Sequence, residues 1–561
     1  MAKTIGIGIQ SFDKIIEGNY FYIDKTPFIK EWWESGDDVT LITRPRRFGK
    51  TLNISMVEQF FSVEYKDRGD LFQGLEIWKE EKYRELQGTY PVLSLSFANI
   101  KEPSYEMTEY RIRQLLMKQY EKASYLLESN VLSNADRAYF ERMLSNMDRV
   151  DAPMALHQLS DYLQRYYGKK VIILLDEYDT PMQEAYVQGF WDELVGFTRS
   201  LFNSTFKTNP YMARGIMTGI TRVSKESIFS DLNNLKVVTT TSNEYSTAFG
   251  FTEEEVFASM EERGLGTEKE EVKQWYDGFA FGNQKDIYNP WSILNFLDTG
   301  VISTYWANTS SNSLVGKLLR EGNEGVKNSF EDLLKGETIR CPIDEQIVYN
   351  QLDDNEDAIF SLLLASGYLK VLRFEEKRVA GKEVLYDLQL TNGEVKDMFY
   401  GMVRGWFSRA KTQYNGFVKA LLRGDKKEMN AYMNRVALQT FSYFDTGKNP
   451  SYEEPERFYH GFVLGMIVDL REEYIITSNR ESGFGRYDVV LEPRNKENRA
   501  IILEFKVHDS EEEDTLNDTV AAALAQIEEK QYEVDLIAKG IPKDNIYKYG
   551  FAFEGKNVLI G

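Results

Sequence analysis

One cysteine, Cys341, stands in the whole chain of 561 residues. That excludes a disulfide framework and a thiolate zinc site. Histidine is nearly as scarce, with His157, His460 and His508 alone, which argues against a histidine-rich metal centre. No run of about 20 uncharged apolar residues occurs, so no transmembrane helix is expected. The opening residues, MAKTIGIGIQSFDKII, lack the charged-then-apolar build of a signal peptide. A soluble, cytoplasmic protein is the expectation. Basic charge is also in deficit: 67 Lys and Arg face 88 Asp and Glu, a net charge of −21. This weighs against nonspecific nucleic-acid binding through the whole surface, though a local basic groove stays compatible with it.

What is present is enough apolar material, 42%, for three or four domains of roughly 100–200 residues each. No solenoid repeat and no long low-complexity tract interrupts it. The charge run Glu511-Glu512-Glu513-Asp514 reads as a solvated loop. The first part alternates strands and helices. VTLITR (39–44) is β-rich, and Leu52, Met56 and Phe60 then recur at helical spacing. PVLSLSF (91–97) alternates like a strand, and residues of about 105–167 read as helical. VIILLDEYD (171–179) is a continuous apolar run ending in acids, the mark of a strand buried on both faces, and ARGIMTGI (213–220) is a further strand. This order predicts a doubly wound parallel-sheet domain. Between 250 and 400 short helices alternate with turn clusters, and 359–392 reads as helix, turn and hairpin, compatible with a winged-helix-like module. Residues 400–450 read as helical and connecting. From 451 the pattern is helix, three strands, helix, strands, the order of a restriction-endonuclease-like core.

Residues 44–51, Arg-Pro-Arg-Arg-Phe-Gly-Lys-Thr, approach the P-loop pattern, which wants Gly, four residues, then Gly-Lys-Ser/Thr. Gly49, Lys50 and Thr51 fit, while Arg44 stands where the first glycine belongs. The preceding strand and following helix would aim backbone N–H groups at a phosphate. Lys50 would reach the β- and γ-phosphates and Thr51 would hold Mg²⁺. A non-glycine residue at positive φ costs about 1–2 kcal/mol. Either the loop avoids that conformation at Arg44, or the arginines compensate by contacting phosphate. Asp176 and Glu177 close the later apolar strand in the layout of a Walker B element. Asp176 would orient the metal and Glu177 would polarise the attacking water. A basic turn before a helix is the bland alternative for the first motif, and a chance acidic pair for the second. Together they point to nucleotide binding.

The segments YIDKT (22–26), RPRRFGKT (44–51), LLDEYDTP (174–181), TGITRVSKESIFSDLNNL (218–235), WYDGFAFG (275–282) and YNPWSIL (288–294) resemble the AAA-ATPase-like family that carries a C-terminal PD-(D/E)XK nuclease-superfamily domain. The resemblance implies an α/β multidomain chain. Its parts would be an AAA-ATPase-like P-loop domain at 1–245, a helical lid and winged-helix-like region at 246–400, a helical connector at 401–450 and a nuclease-like domain at 451–561. Arg44 is usual in that family. The resemblance implies Arg46, Arg47, Phe48, Gly49, Lys50 and Thr51 as the nucleotide loop. It also implies a sensor-like group near the γ-phosphate from the strand ending in 218–222, with Thr221 and Arg222 as candidates. Asp24 and Lys25 would lie near the nucleotide or form a capped turn.

In the last part, Asp488 lies in GRYDVVLEP, and Glu504 and Lys506 lie in ILEFKV. Residues two apart share one strand face, so Glu504 and Lys506 point together and Leu503 and Phe505 point oppositely. If the two strands pair, Asp488 joins them. Two carboxylates would bind Mg²⁺ or Mn²⁺ through oxygen, and Lys506 would place the water or stabilise charge at phosphorus. The bland alternative is a half-exposed hairpin with ordinary charges. The resembled family adds Glu456 as a metal ligand, with His460 on the same helical face. Gln526 is a candidate for the site edge and Tyr532 for packing. Three functions follow: an ATP-gated nuclease acting on DNA, an ATP-driven switch whose nuclease-like domain only binds nucleic acid or a protein partner, and an adaptor with two degenerate sites. Intact Lys50, Asp176, Glu177, Asp488, Glu504 and Lys506 favour the first. Residues 451–561 carry 13 Lys and Arg against 23 Asp and Glu, a balance of −10, which suits a domain that needs another module, or another copy of the chain, to hold DNA.

Overall fold

The computed structural model describes residues 3–561 apart from 208, 224–228, 230–231, 308–312, 322–323, 345, 348–351, 353–355, 375–383, 407–410, 441–462, 464–466, 468–469, 471–472, 483–484, 509–512 and 555–556. It divides into two units, residues 1–398 and 399–561. No described helix is long and apolar enough to cross a membrane.

The first unit is built on five parallel strands, β1 (Val39–Thr43), β2 (Val92–Ser96), β3 (Val171–Asp176), β4 (Met212–Gly219) and, after the two-residue β5 (Arg222–Val223), β6 (Leu235–Val238). Their order across the sheet is β2-β3-β4-β1-β6. Every residue of β1 and β3 is buried, as continuous apolar runs covered on both faces should be. The order places β4 between the strand that leads into the basic loop and the strand that ends in acids. Register puts Ile42 level with Thr218 and Leu175 level with Met217, so Asp176 and Thr218 come next along the same edge. This is the carboxyl edge of the sheet, where α/β folds place their ligands.

Helix α1 (Lys50–Phe61) starts directly after Gly49, whose φ of 82° is left-handed, and helix α2 (Thr180–Gln188) follows β3. Beyond the sheet lie β7 (Phe251–Thr252), β8 (Phe279–Phe281) and β9 (Gln284–Tyr288), forming a small sheet of their own, and helix α3 (Pro290–Thr299). The expected helix and hairpin are present as α4 (Glu356–Ala365), β12 (Leu369–Phe374) and β13 (Leu385–Leu390). β13 pairs on one side with β12 and on the other with β10 (Ile339–Pro342), while β11 (Gln346–Ile347) pairs with β5. Helix α5 (Gly393–Trp406) begins in this unit.

The second unit is a mixed sheet in the order β14 (Tyr474–Ser482), β15 (Gly485–Pro493), β16 (Ala500–Val507), β17 (Ile546–Glu554) and β18 (Asn557–Ile560). Only the β16–β17 pair is parallel. Helices α6 (Lys411–Arg423) and α7 (Lys426–Thr440), in the stretch that the sequence suggests is a connector, pack their Phe417, Leu421, Met429 and Met433 into one core with Val489, Leu491, Leu503, Phe505 and Phe551. Helix α8 (Leu516–Glu529) covers the other face. There Val490, Ala500 and Ile502 meet Ile527, Tyr532 and Leu536. Strand alternation thus sends Leu503 and Phe505 to the α6–α7 side and leaves Glu504 facing α8.

Candidate functional site

At the head of α1, the left-handed conformation expected for the first P-loop position falls elsewhere. Positive φ occurs at Arg47 (65°) and Gly49 (82°), and Arg44 is free of it. Of the two alternatives the sequence leaves open, the loop avoids the strain at Arg44. The Arg44 side chain turns inward and is fully buried. It donates to the carbonyls of Thr43 (2.9 Å), Thr239 (2.7 Å) and Glu244 (3.2 Å) and lies 4.3 Å over the Phe281 ring. Burial pushes its guanidinium down to about 9, against the pull of Glu244 and Glu31.

The rest of the loop is held by the region after the sheet. The Phe48 ring is buried against Phe279 and Phe281, at 4.8 and 5.5 Å between centroids. Its side chain therefore packs, and its backbone is what it offers a ligand. Gly250 makes this possible, because a Cβ there would sit 3.1 Å from the ring. Arg47 stacks 4.4 Å over Trp291. Arg46 donates to Gln183 on α2 at 3.3 Å, and its charge acts on Lys50.

Lys50 is buried and donates to the carbonyls of Arg44 (3.0 Å) and Pro45 (2.9 Å). Burial lowers its pKa, opposed by Glu177, Asp176 and Asp179. Thr51 donates to Asp176 Oδ2 at 2.7 Å. The other Asp176 oxygen accepts from Thr218, and the Thr218 hydroxyl also accepts the Glu177 N–H at 3.3 Å. Burial raises Asp176, while these two hydroxyl bonds lower it. Glu177 itself is left-handed, with φ of 52°, and its carboxylate accepts from Thr180 at 3.2 Å. The donor set of one hydroxyl and one carboxylate fits a hard divalent cation.

The strand end at 218–222 places its polar groups in different surroundings. Thr218 is the residue of β4 that meets Asp176. Thr221 instead binds Asp179 through its N–H (2.9 Å) and hydroxyl (3.0 Å), and Arg222 sits in β5 opposite Gln346. Asp179 is fully buried, and Gly219 is needed beside it because a Cβ would lie 2.8 Å from its carboxylate. The signal for Thr218 was a polar residue at the end of an otherwise buried strand, level with the acids. Asp24 and Lys25 form the capped turn: Asp24 accepts from Thr26 and from the Glu76 N–H, and Lys25 pairs with Glu255 at 2.7 Å.

In the second unit, β15 and β16 pair with Val489 opposite Leu503, which brings Asp488 beside Glu504. Asp488 Oδ2 accepts the Phe505 N–H at 2.7 Å. Glu504 is buried, one of its oxygens accepts from Gln526, and its Oε2 is buried without a hydrogen-bond partner among the described residues. Its carboxyl is pushed up to about 8, first by burial and then by the Asp488 charge, with the Asp488 backbone N–H, Lys506 and Gln526 opposing. A buried, unpartnered carboxylate oxygen next to a second carboxylate fits a divalent cation, which would supply the missing partner. Gln526 also donates to the Tyr532 hydroxyl at 3.2 Å, so Tyr532 belongs to this chain of bonds as well as to the packing. Gly550, level with Glu504, lets α8 approach: a Cβ there would lie 2.8 Å from the Val520 carbonyl. Glu456 and His460 lie outside the described residues.

Residues 6–229 match the family AAA-ATPase_like, described as a predicted AAA-ATPase, and residues 454–561 match PDDEXK_9, the PD-(D/E)XK nuclease superfamily. The chain is similar to an "Uncharacterized protein in vnfD 5'region" of Azotobacter chroococcum mcd 1, 26% identical over 396 residues that cover 70% of this chain and 68% of that one. Among solved structures, that of the Aeropyrum pernix ORC2 protein (ADPNP–ADP complexes) covers 67% of this chain and 92% of its own, at 10% identity and a TM-score of 0.24; a likeness that slight carries no argument. The chain thus carries an AAA-ATPase-like domain match over residues 6–229 and a PD-(D/E)XK nuclease-superfamily match over residues 454–561.

Proposed function

We propose that this protein binds and hydrolyses ATP in its first unit and cleaves nucleic-acid phosphodiesters, those of DNA, in its second, with the first controlling the second. The observation that carries the ATP reading is the bond between Thr51 and Asp176, which joins the basic loop to the acidic strand end. Lys50 and the N–H groups at the start of α1 hold the phosphates, and Arg46 and Arg47 add positive charge along the loop. Glu177 takes the proton of the attacking water, and Thr218 keeps Asp176 and the Glu177 backbone in place. Thr51 and Asp176 would hold Mg²⁺, which neutralises phosphate charge when bound. Arg222 stands as a further phosphate contact by resemblance.

The nuclease reading rests on the buried Glu504 Oε2 beside Asp488. Asp488 and Glu504 would hold Mg²⁺ or Mn²⁺, which supplies Lewis acidity at phosphorus when bound. Gln526 orients Glu504, and Lys506 stabilises charge developing on the phosphate. Glu456 remains part of this reading by resemblance. A second reading is an ATP-driven switch that uses this domain to bind nucleic acid or a protein partner without cutting; the acidic balance of residues 451–561 is compatible with a protein partner. A cytoplasmic place, and assembly with itself or a partner, go with either reading.

The test is to incubate the purified full-length protein with ATP, Mg²⁺ or Mn²⁺, and circular or linear DNA. Lys506→Ala and Glu504→Gln are expected to lower cleavage by about 10²-fold or more, and Lys50→Ala to abolish nucleotide binding. Equal cleavage by wild type and Lys506→Ala sinks the nuclease assignment. Unchanged nucleotide binding by Lys50→Ala sinks the other.

A further inference from the structure

A buried carboxylate outside both sites is bonded, through one tryptophan, to the phosphate loop. Glu394 stands in the first turn of α5 and is fully buried. It accepts the backbone N–H of Trp306 at 2.6 Å and the hydroxyl of Ser292 at 2.8 Å. The indole N–H of the same Trp306 donates to the carbonyl of Arg46 at 3.0 Å. That carbonyl also accepts from Asn289 Nδ2 at 3.3 Å. The other end of the Asn289 amide caps α3, accepting from the Trp291 and Ser292 N–H groups at 2.9 and 3.4 Å, and Trp291 is the ring beneath Arg47. Three consecutive loop residues are therefore held by one region: Arg46 by its carbonyl, Arg47 by its guanidinium and Phe48 by its ring.

Helix α5 runs from Gly393 to Trp406, and the first unit ends at Met398. The chain passes from one unit to the other along this helix. A second bond, from Thr304 to Asp397 at 2.9 Å, ties its next turn to the same 303–307 segment.

We propose that Trp306 and Glu394 form a latch through which nucleotide uptake by the phosphate loop sets the order of α5. This rests on the ATP-binding reading above and names its route of control. A loop that gives its N–H groups to a phosphate shifts or stiffens its own carbonyls, and the Arg46 carbonyl has two donors that register the change. Trp306 carries it through its indole and backbone N–H groups to Glu394. A buried carboxylate cannot trade those donors for water without a large cost. The displacement is therefore passed to the first turn of α5, since packed interiors move between discrete arrangements and do not deform smoothly.

The test is hydrogen–deuterium exchange of the full chain, with and without a saturating non-hydrolysable ATP analogue and Mg²⁺, read on peptides spanning 393–406. Analogue binding is measured directly in parallel. In wild type the analogue is expected to slow exchange in α5 by about tenfold, the worth of one hydrogen bond gained or tightened. Trp306→Phe keeps the ring and deletes the indole donor. It should bind the analogue and lose most of that slowing. Ser292→Ala removes the hydroxyl bond to Glu394 and should lose part of it, providing an independent arm if Trp306→Phe does not fold. The latch is overturned if both variants keep the wild-type slowing, or if wild type binds the analogue with no change in α5. Absence of analogue binding by wild type overturns the ATP reading itself, and the latch with it.

Discussion

At the residue scale, Arg44 shows how a motif can lose its defining residue and keep its shape. The first P-loop glycine is replaced by the bulkiest cation, yet its backbone needs no left-handed conformation, and its N–H donates to the Gly219 carbonyl at 3.1 Å. Its guanidinium replaces what the glycine's flexibility would have contributed with bonds to three carbonyls from two segments. Restoring the consensus should therefore do harm. Arg44→Gly leaves the Thr239 and Glu244 carbonyls without this donor and opens a cavity under Phe281. Breaking such a buried charged network costs roughly 3–5 kcal/mol. Chemical denaturation of the variant should show a loss of that order, and a change below about 0.5 kcal/mol would remove Arg44 from the loop's support.

At the scale of elements, the second unit solves an edge problem with two asparagines. Strand β18 ends the sheet, and an open strand edge invites pairing with another chain. Helix α7 places Asn430 and Asn434 one turn apart. Asn430 donates to the Ile560 carbonyl and accepts its N–H, both at 2.8 Å. Asn434 does the same with Val558, at 2.6 and 3.0 Å. Four helical residues rise about 6.0 Å and two strand residues about 6.8 Å, so the amides match the groups that β18 leaves unpaired. Each Asn→Ala change is expected to lower stability by roughly 1–3 kcal/mol. The double variant should also associate at high concentration, read by light scattering. A double variant as stable and as monodisperse as wild type would refute this role. On the opposite face, Gly550 and the α8 stripe Thr519, Val520, Ala523 and Ile527 set how closely Gln526 comes to Glu504.

At the scale of the molecule, the two units carry separate cores, and the proposed function gives each its own ligand. Two thermal transitions are expected. An ATP analogue with Mg²⁺ should raise the transition of residues 1–398, by about 2.7 kcal/mol at a hundredfold excess over its dissociation constant. Mn²⁺ alone should raise that of residues 399–561. Calorimetry on wild type, Lys50→Ala and Glu504→Gln assigns them, since each variant should lose one ligand's effect and keep the other's. A single transition that responds to both ligands in both variants would contradict independent sites.

Much of this was legible from the sequence. The burial of β1 and β3 followed from continuous apolar runs, and the facing of Glu504 and Lys506 away from Leu503 and Phe505 followed from strand alternation. The loop at 44–51 and the acids at 176–177 followed from motif and context. These are local properties, fixed by periodicity and by what a backbone turn demands. Tertiary structure alone decided the rest, because it depends on which strands become neighbours. The insertion of β4 between β1 and β3 made Thr218 the partner of Asp176. The segments that follow the first unit's sheet turned Arg44 inward and made Phe48 a packing residue, and the second unit's own strands drew helices 411–440 into their core. The bonds from Arg46 through Trp306 to Glu394 join residues that no spacing rule relates, and only the folded chain brings them together.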